Sequence, residues 1–143
     1  MGNKTLAIIK PDAVGENHSG EIIDMIIKAG FKITAMKMTK LTRESATGFY
    51  EIHKDKSFFN ELLDYMTSGP CIAMALEKEN AVEDYRKLIG ATNPDNAAEG
   101  TIRKLFAKNI QFNAVHGSDS DENAEKEILH FFSRDELLNN NIH

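Results

Sequence analysis

The chain has 143 residues, 41% of them hydrophobic and 27% charged, and its 17 basic and 22 acidic side chains give a net charge of −5. These values describe one ordinary folded domain over residues 1–143 and exclude a disordered or low-complexity chain. The acidic balance disfavours non-specific binding to a nucleic acid backbone, so a bound polyanion has to be held by a few cations in one pocket, and the single cysteine, Cys71, excludes an intrachain disulfide and a cysteine-based metal site.

The start of the chain has no basic n-region, and no run approaches the ~18 apolar residues that span a bilayer, so the expected address is cytoplasmic. Residues 5–9 (TLAII) read as a buried strand that delivers Lys10 at its exit, where Pro11 stops the ladder. Lys10 is then either a solvated charge or a phosphate ligand. His18, Ser19 and Gly20 precede Ile22, Ile23, Ile26 and Ile27, one face of a helix closed by Gly30. Residues 31–41 alternate loosely as a strand covered on both faces, with Met36 and Met38 as core or interface side chains.

Thr42 caps a helix from Arg43 towards His53, the sequence KDKS turns the chain, and a second helix covers about 58–67. Tyr50 and Phe58 flank that turn, either as a wall for a planar ligand or as core. Ser68, Gly69 and Pro70 break the helix before the central strand 71–76 (CIAMAL), in which Cys71 is a buried thiol. Asn80 caps a helix over 81–89 that ends at Gly90. The longest loop, 91–100, follows, framed by Arg86 and by Arg103, the latter on two helical turns over 101–108. Each arginine alone reads as a surface charge; the pair around one threonine-bearing loop suits a clamp on phosphate oxygens.

The stretch NAVHGSDS (113–120) is a short strand ending on His116, with a helix starting near Ser120. Neutral imidazole is nucleophilic near pH 7, and a helix N-terminus favours an anion beside it; the alternative is a histidine held only by hydrogen bonds. Ala124, Ile128, Phe131 and Phe132 mark the buried face of the helix. At 3.6 residues per turn Glu127 lies about 60° from the centre of that face, so it is either an exposed charge or an inward carboxylate that takes the proton on one ring nitrogen of His116. The polar tail, 137–143, is expected to fray.

Taken together, LAIIKPDAV (6–14), YMTSGP (65–70), GATNP (90–94), GTIR (100–103) and NAVHGSDS followed by AEKEI (124–128) resemble, in order and over almost the whole chain, the signatures of the nucleoside diphosphate kinases. The resemblance implies an α/β sandwich with a ferredoxin-like βαββαβ topology, a four-stranded antiparallel sheet covered by helices. The implied reaction is γ-phosphoryl transfer from a nucleoside triphosphate to a nucleoside diphosphate, by a ping-pong route with broad base specificity. By position, His116 is the phosphorylated nucleophile, oriented by Glu127, with Ser118 on that glutamate. Lys10 and Tyr50 match the groups at the phosphate, Arg86, Thr92 and Arg103 the phosphate clamp, and Asn113 the ribose ligand. Phe58 and Ile110 occupy the positions that sandwich the base.

The family's Mg²⁺ arrives with the nucleotide, so no protein metal ligand is implied. The resemblance also implies a homo-oligomer built from dimers, a hexamer rather than a tetramer because the loop 91–100 keeps Pro94, while the lack of a long apolar run and the net charge of −5 argue against a membrane or a specific nucleic acid partner. The sequence departs from the family pattern at Lys104, Leu105, Gln111 and Phe112, none of which removes a reactive group. A nonenzymatic scaffold with the same fold is the rival reading, opposed by the intact set of site residues.

Overall fold

The computed structural model describes residues 2–137, so the expected frayed tail falls, except for Leu137, outside the described residues. Four strands, β1 (Lys4–Ile9), β2 (Lys32–Thr39), β3 (Cys71–Glu77) and β4 (Val115–Gly117), form one sheet in the order β2-β3-β1-β4, and every neighbouring pair is antiparallel. This is the ferredoxin-like order expected from the sequence.

Alternation along β1 divides the core. Ala7 and Ile9 face a layer with Ile22 and Ile26 of α2 (Ser19–Lys28) and Tyr85 and Ile89 of α5 (Ala81–Ile89), while Leu6 and Ile8 face one with Ala46, Leu63, Met66, Ile128 and Phe131. The second layer comes from α3 (Arg43–Phe49), α4 (Phe59–Met66) and α7 (Asp121–Phe131). Successive strand side chains point to opposite faces, so central strands buried on both sides read as continuous apolar runs, as β1 and β3 do. The pair α3–α4 lies in the β2–β3 connection, where a plain βαββαβ chain has only a turn.

Four expectations are corrected. Pro11 does more than end a strand: it opens a short helix, α1 (Pro11–Gly15), since proline suits the first helical position, where its missing N–H has no intrahelical role. The helix from Arg43 stops at Phe49, and the chain continues through a 3-10 turn, Glu51–His53. Asn80 adopts a left-handed conformation and makes no side-chain cap. β2 is not covered on both faces: it is the outermost strand, and on one of its faces Met36 and Met38 are 54% and 61% exposed. Other boundaries stand close to expectation, with Thr42 capping α3 through the Ser45 N–H and Ser120 capping α7 through that of Asn123. The loop after Gly90 holds a 3-10 turn, Pro94–Asn96, and then α6 (Ile102–Phe106), shorter than the two turns expected.

The glycine after His116 is a packing requirement. A Cβ on Gly117 would lie 2.8 Å from Cδ2 and 3.0 Å from Cε2 of Tyr85, a fully buried ring that has nowhere to move. Gly117→Ala is therefore expected to lower the unfolding free energy by about 1–3 kcal/mol in urea titrations. Gly15→Ala, where nothing lies within 4 Å, should leave the midpoint unchanged or raise it slightly.

Candidate active site

β4 pairs with β1 so that His116 stands opposite Ile8, and this register places the imidazole over the layer that contains α7. His116 Nε2 lies 2.8 Å from Glu127 Oε1, and Ser118 Oγ donates to the same oxygen at 2.7 Å. Ser118 Oγ in turn accepts the Leu6 N–H at 3.1 Å, so the glutamate is tied to the backbone of β1. An ionised carboxylate only accepts hydrogen bonds, which assigns the ring proton to Nε2 and leaves the lone pair on Nδ1. Burial lowers the His116 pKa below the ordinary histidine value, against the opposing pull of the Glu127 hydrogen bond and charge; Lys10 and Arg103 push it further down. The ring is therefore neutral at pH 7. Phe49 meets its edge at a centroid distance of 5.3 Å.

Lys10, buried at the exit of β1, donates from Nζ to Asn113 Oδ1 at 2.9 Å. Desolvation first, and the charge of Arg103 second, bring its pKa from 10.5 to about 7, while Asp12 resists the change. Arg103 is not the surface charge that either arginine alone suggested. It is buried, with Nε donating to the Asn113 carbonyl at 3.3 Å, one terminal nitrogen to Gly90 O at 3.1 Å and the other to Val115 O at 2.9 Å. Two of its five N–H groups thus brace the segment that leads into His116 and a third holds the end of α5 at Gly90, leaving two for a ligand. Arg86 and Thr92 are exposed and line, with Gly90, Thr101 and Arg103, an open cleft of about 390 Å³. Arg103 joins that cleft to the histidine, which does not itself line it.

Tyr50 and Phe58 part company. Tyr50 is core, its hydroxyl buried without a hydrogen-bond partner among the described residues; desolvation chiefly, then the charges of Cys71 and Glu127, raise its pKa. Phe58 at 46% exposure and Ile110 at 59% present apolar faces to solvent. The helix N-terminus expected to favour an anion is already supplied with charge, since Asp121 and Glu122 sit in the first turn of α7 and Asp121 accepts the Gly2 N–H. The local positive field comes instead from Lys10 and Arg103.

Sequence reasoning gave Asp12 and Tyr65 no role. Asp12 accepts hydrogen bonds from the Tyr65 hydroxyl and from the Ala114 N–H, in the turn just before β4. Their places inside the KPD and YMTSGP motifs were the available signal. Phe112, one of the departures, packs edge-on against Tyr65 at 5.0 Å.

Compared with known families, the chain matches the one described as Nucleoside diphosphate kinase over residues 3–137. A nucleoside diphosphate kinase of Lawsonia intracellularis is 59% identical over 134 residues, which cover 94% of this chain and 97% of the relative. Among solved structures, the Aquifex aeolicus nucleoside diphosphate kinase superposes with a TM-score of 0.94 at 42% identity, covering 95% of this chain and 99% of that one. A halophilic nucleoside diphosphate kinase from Halobacterium salinarum, in complex with CDP, gives 0.92 at 36% identity over 97% of this chain and 93% of its own.

The lowered pKa of Lys10 has a stability consequence. From pH 7 upwards the unfolded chain keeps a proton on this lysine that the folded chain releases, so stability rises with pH until the ordinary lysine range is reached. Relative to Lys10→Met, the wild type should gain about 2 kcal/mol of unfolding free energy between pH 7 and pH 9, measured by urea titration at each pH.

Proposed function

This chain belongs to the nucleoside diphosphate kinase family and transfers a phosphoryl group from a nucleoside triphosphate to a nucleoside diphosphate, and from that premise we propose that His116 carries the group covalently between the two. The observation that supports this most is the hydrogen bond from His116 Nε2 to Glu127, which leaves Nδ1 unprotonated in a neutral ring. In the first half-reaction the Nδ1 lone pair attacks the γ-phosphorus, the bond to the β–γ bridging oxygen breaks, and the diphosphate leaves with that electron pair. The ring gains positive charge while Nε2–H stays on Glu127, whose carboxylate stabilises it. In the second half-reaction a terminal oxygen of another diphosphate attacks phosphorus, and the P–N electron pair returns to Nδ1.

Transfer through a loose transition state needs placement and positive charge more than acid–base work. We assign the charge to Lys10, Arg103 and Arg86, with Thr92 as a further phosphate-side donor. Asn113 and Lys10 hold the ribose, and Phe58 and Ile110 enclose the base, whose edge they do not read. Mg²⁺ neutralises phosphate oxygens when it is bound with the nucleotide. Among the described residues no three His, Cys, Asp or Glu side chains converge on a metal position, and Asp12 and Glu127 are already hydrogen-bonded, so the ion's ligands would come from phosphate and water.

The chain is further proposed to act as one domain over 1–143 in the cytosol, within a homo-hexamer built from dimers. Among the described residues no helix is long and apolar enough to cross a membrane. The outer edge of β2, with Met36 and Met38 exposed and no strand partner among the described residues, supports the dimer. Light scattering after size exclusion distinguishes hexamer, tetramer and monomer.

The test of the covalent step is labelling with ATP carrying γ-³²P. A base-stable, acid-labile phosphoenzyme should form without a diphosphate present, discharge when any common nucleoside diphosphate is added, and be absent in His116→Ala. Glu127→Gln should slow its formation by roughly a hundredfold with little change in nucleotide affinity. Label that persists in His116→Ala would remove the assignment.

A further inference from the structure

Ala114 is a fully buried, non-glycine residue with φ 72, and the Val115 N–H donates across it to the Asn113 carbonyl at 2.8 Å. That is a γ-turn of the rare, strained hand, a conformation alanine keeps only when its surroundings enforce it. Both peptide groups of Ala114 are held by the segment leaving β1: its N–H donates to Asp12 Oδ2 at 3.2 Å, and its carbonyl accepts the Lys10 N–H at 2.8 Å. Asp12 is fixed in turn by the Tyr65 hydroxyl on α4. On one side of the turn Asn113 accepts from Lys10 Nζ; on the other Val115 enters β4, one residue before His116.

We infer that Asp12 is a positioning residue for phosphoryl transfer: its carboxylate holds the strained turn at Ala114 and so fixes Lys10, Asn113 and His116 relative to one another. Asp12 need not touch the substrate. Of the groups that bear on Lys10, the Arg103 guanidinium lies on α6, the Tyr65 ring on α4 at 5.6 Å and His116 on β4; Asp12 is the negative charge that favours its ammonium form. The inference rests on His116 as the phosphate carrier.

Rapid-quench labelling with γ-³²P ATP tests it. Asp12→Ala should form phosphoenzyme about a hundredfold more slowly than wild type, because a displacement on the order of 1 Å at the reacting groups has that effect. Asp12→Asn, whose amide oxygen still accepts from Ala114, should lose no more than about tenfold. The decisive variant is Asp12→Ala combined with Ala114→Gly. Glycine adopts positive φ without steric cost, so the turn no longer needs the carboxylate, and roughly tenfold of the lost rate should return.

A second readout is the pH profile. Loss of the negative charge in Asp12→Asn should move the alkaline limb of the labelling rate to lower pH, as the Lys10 ammonium loses its support. Circular dichroism checks that each variant folds; if Asp12→Ala does not, Asp12→Asn and its profile carry the test. A rate for Asp12→Ala within threefold of wild type, no recovery on adding Ala114→Gly, or an unshifted limb in Asp12→Asn overturns the inference. Failure of the wild type to label would instead overturn His116 as carrier, and this inference with it.

Discussion

A buried histidine acts as a nucleophile at neutral pH only if it carries no charge and one known nitrogen keeps its lone pair; here burial meets the first condition, and a single hydrogen bond from Nε2 to Glu127, 2.8 Å long, meets the second. Its geometry depends on the core. Glu127 is one residue from Ile128, which packs in the same layer as Leu6 and Ile8, and Ser118 links the carboxylate to the Leu6 N–H. The tautomer is thus set by the way α7 sits on β1. Burial, which lowers the imidazole pKa, and the carboxylate, which raises it, act in opposite directions, and burial is the larger.

The second constraint is electrostatic. A chain of net charge −5 keeps two cations, Lys10 and Arg103, buried close enough that each disfavours the charge of the histidine beside them. Holding positive charge out of water is unfavourable in the free protein, as the lowered pKa values of both show. A polyphosphate entering such a site relieves that penalty, because its oxygens replace the lost solvent. Local concentration of charge is the means by which an acidic chain would bind an acidic ligand at the proposed site, and the cleft lined by the exposed Arg86 and Thr92 is open.

The central strands, the apolar faces of α2, α5 and α7, the cap at Thr42 and the start of α7 near Ser120 were legible in the sequence, because periodicity and capping are local properties, although the cap expected at Asn80 is absent. Helix phase alone left Glu127 open between an exposed charge and an inward carboxylate. What escaped was set by tertiary contacts. Whether β2 is central or outermost depends on strand order, which no window of sequence contains. Arg103 looked like a clamp on a loop, yet three backbone carbonyls from distant residues make it a brace as well. Asp12 and Tyr65 lie 53 positions apart and meet only in the fold, and the positive φ of Ala114 has no signature in an alanine. The kinase motifs pointed to the chemistry directly, but composition and periodicity would have led only to a phosphate-handling α/β domain.

Whether His116 takes up the phosphoryl group, and on which ring nitrogen, is the most direct test of the proposed arrangement. With imidazole nitrogens labelled by ¹⁵N, two-dimensional NMR of the free enzyme and of the phosphoenzyme assigns the tautomer before transfer and the substituted atom after it. The expected result is a neutral ring protonated at Nε2 in the free enzyme, and phosphorus bonded to Nδ1 with Nε2–H retained in the phosphoenzyme. Phosphorus on Nε2, or a free ring protonated at Nδ1, would contradict the role given to Glu127.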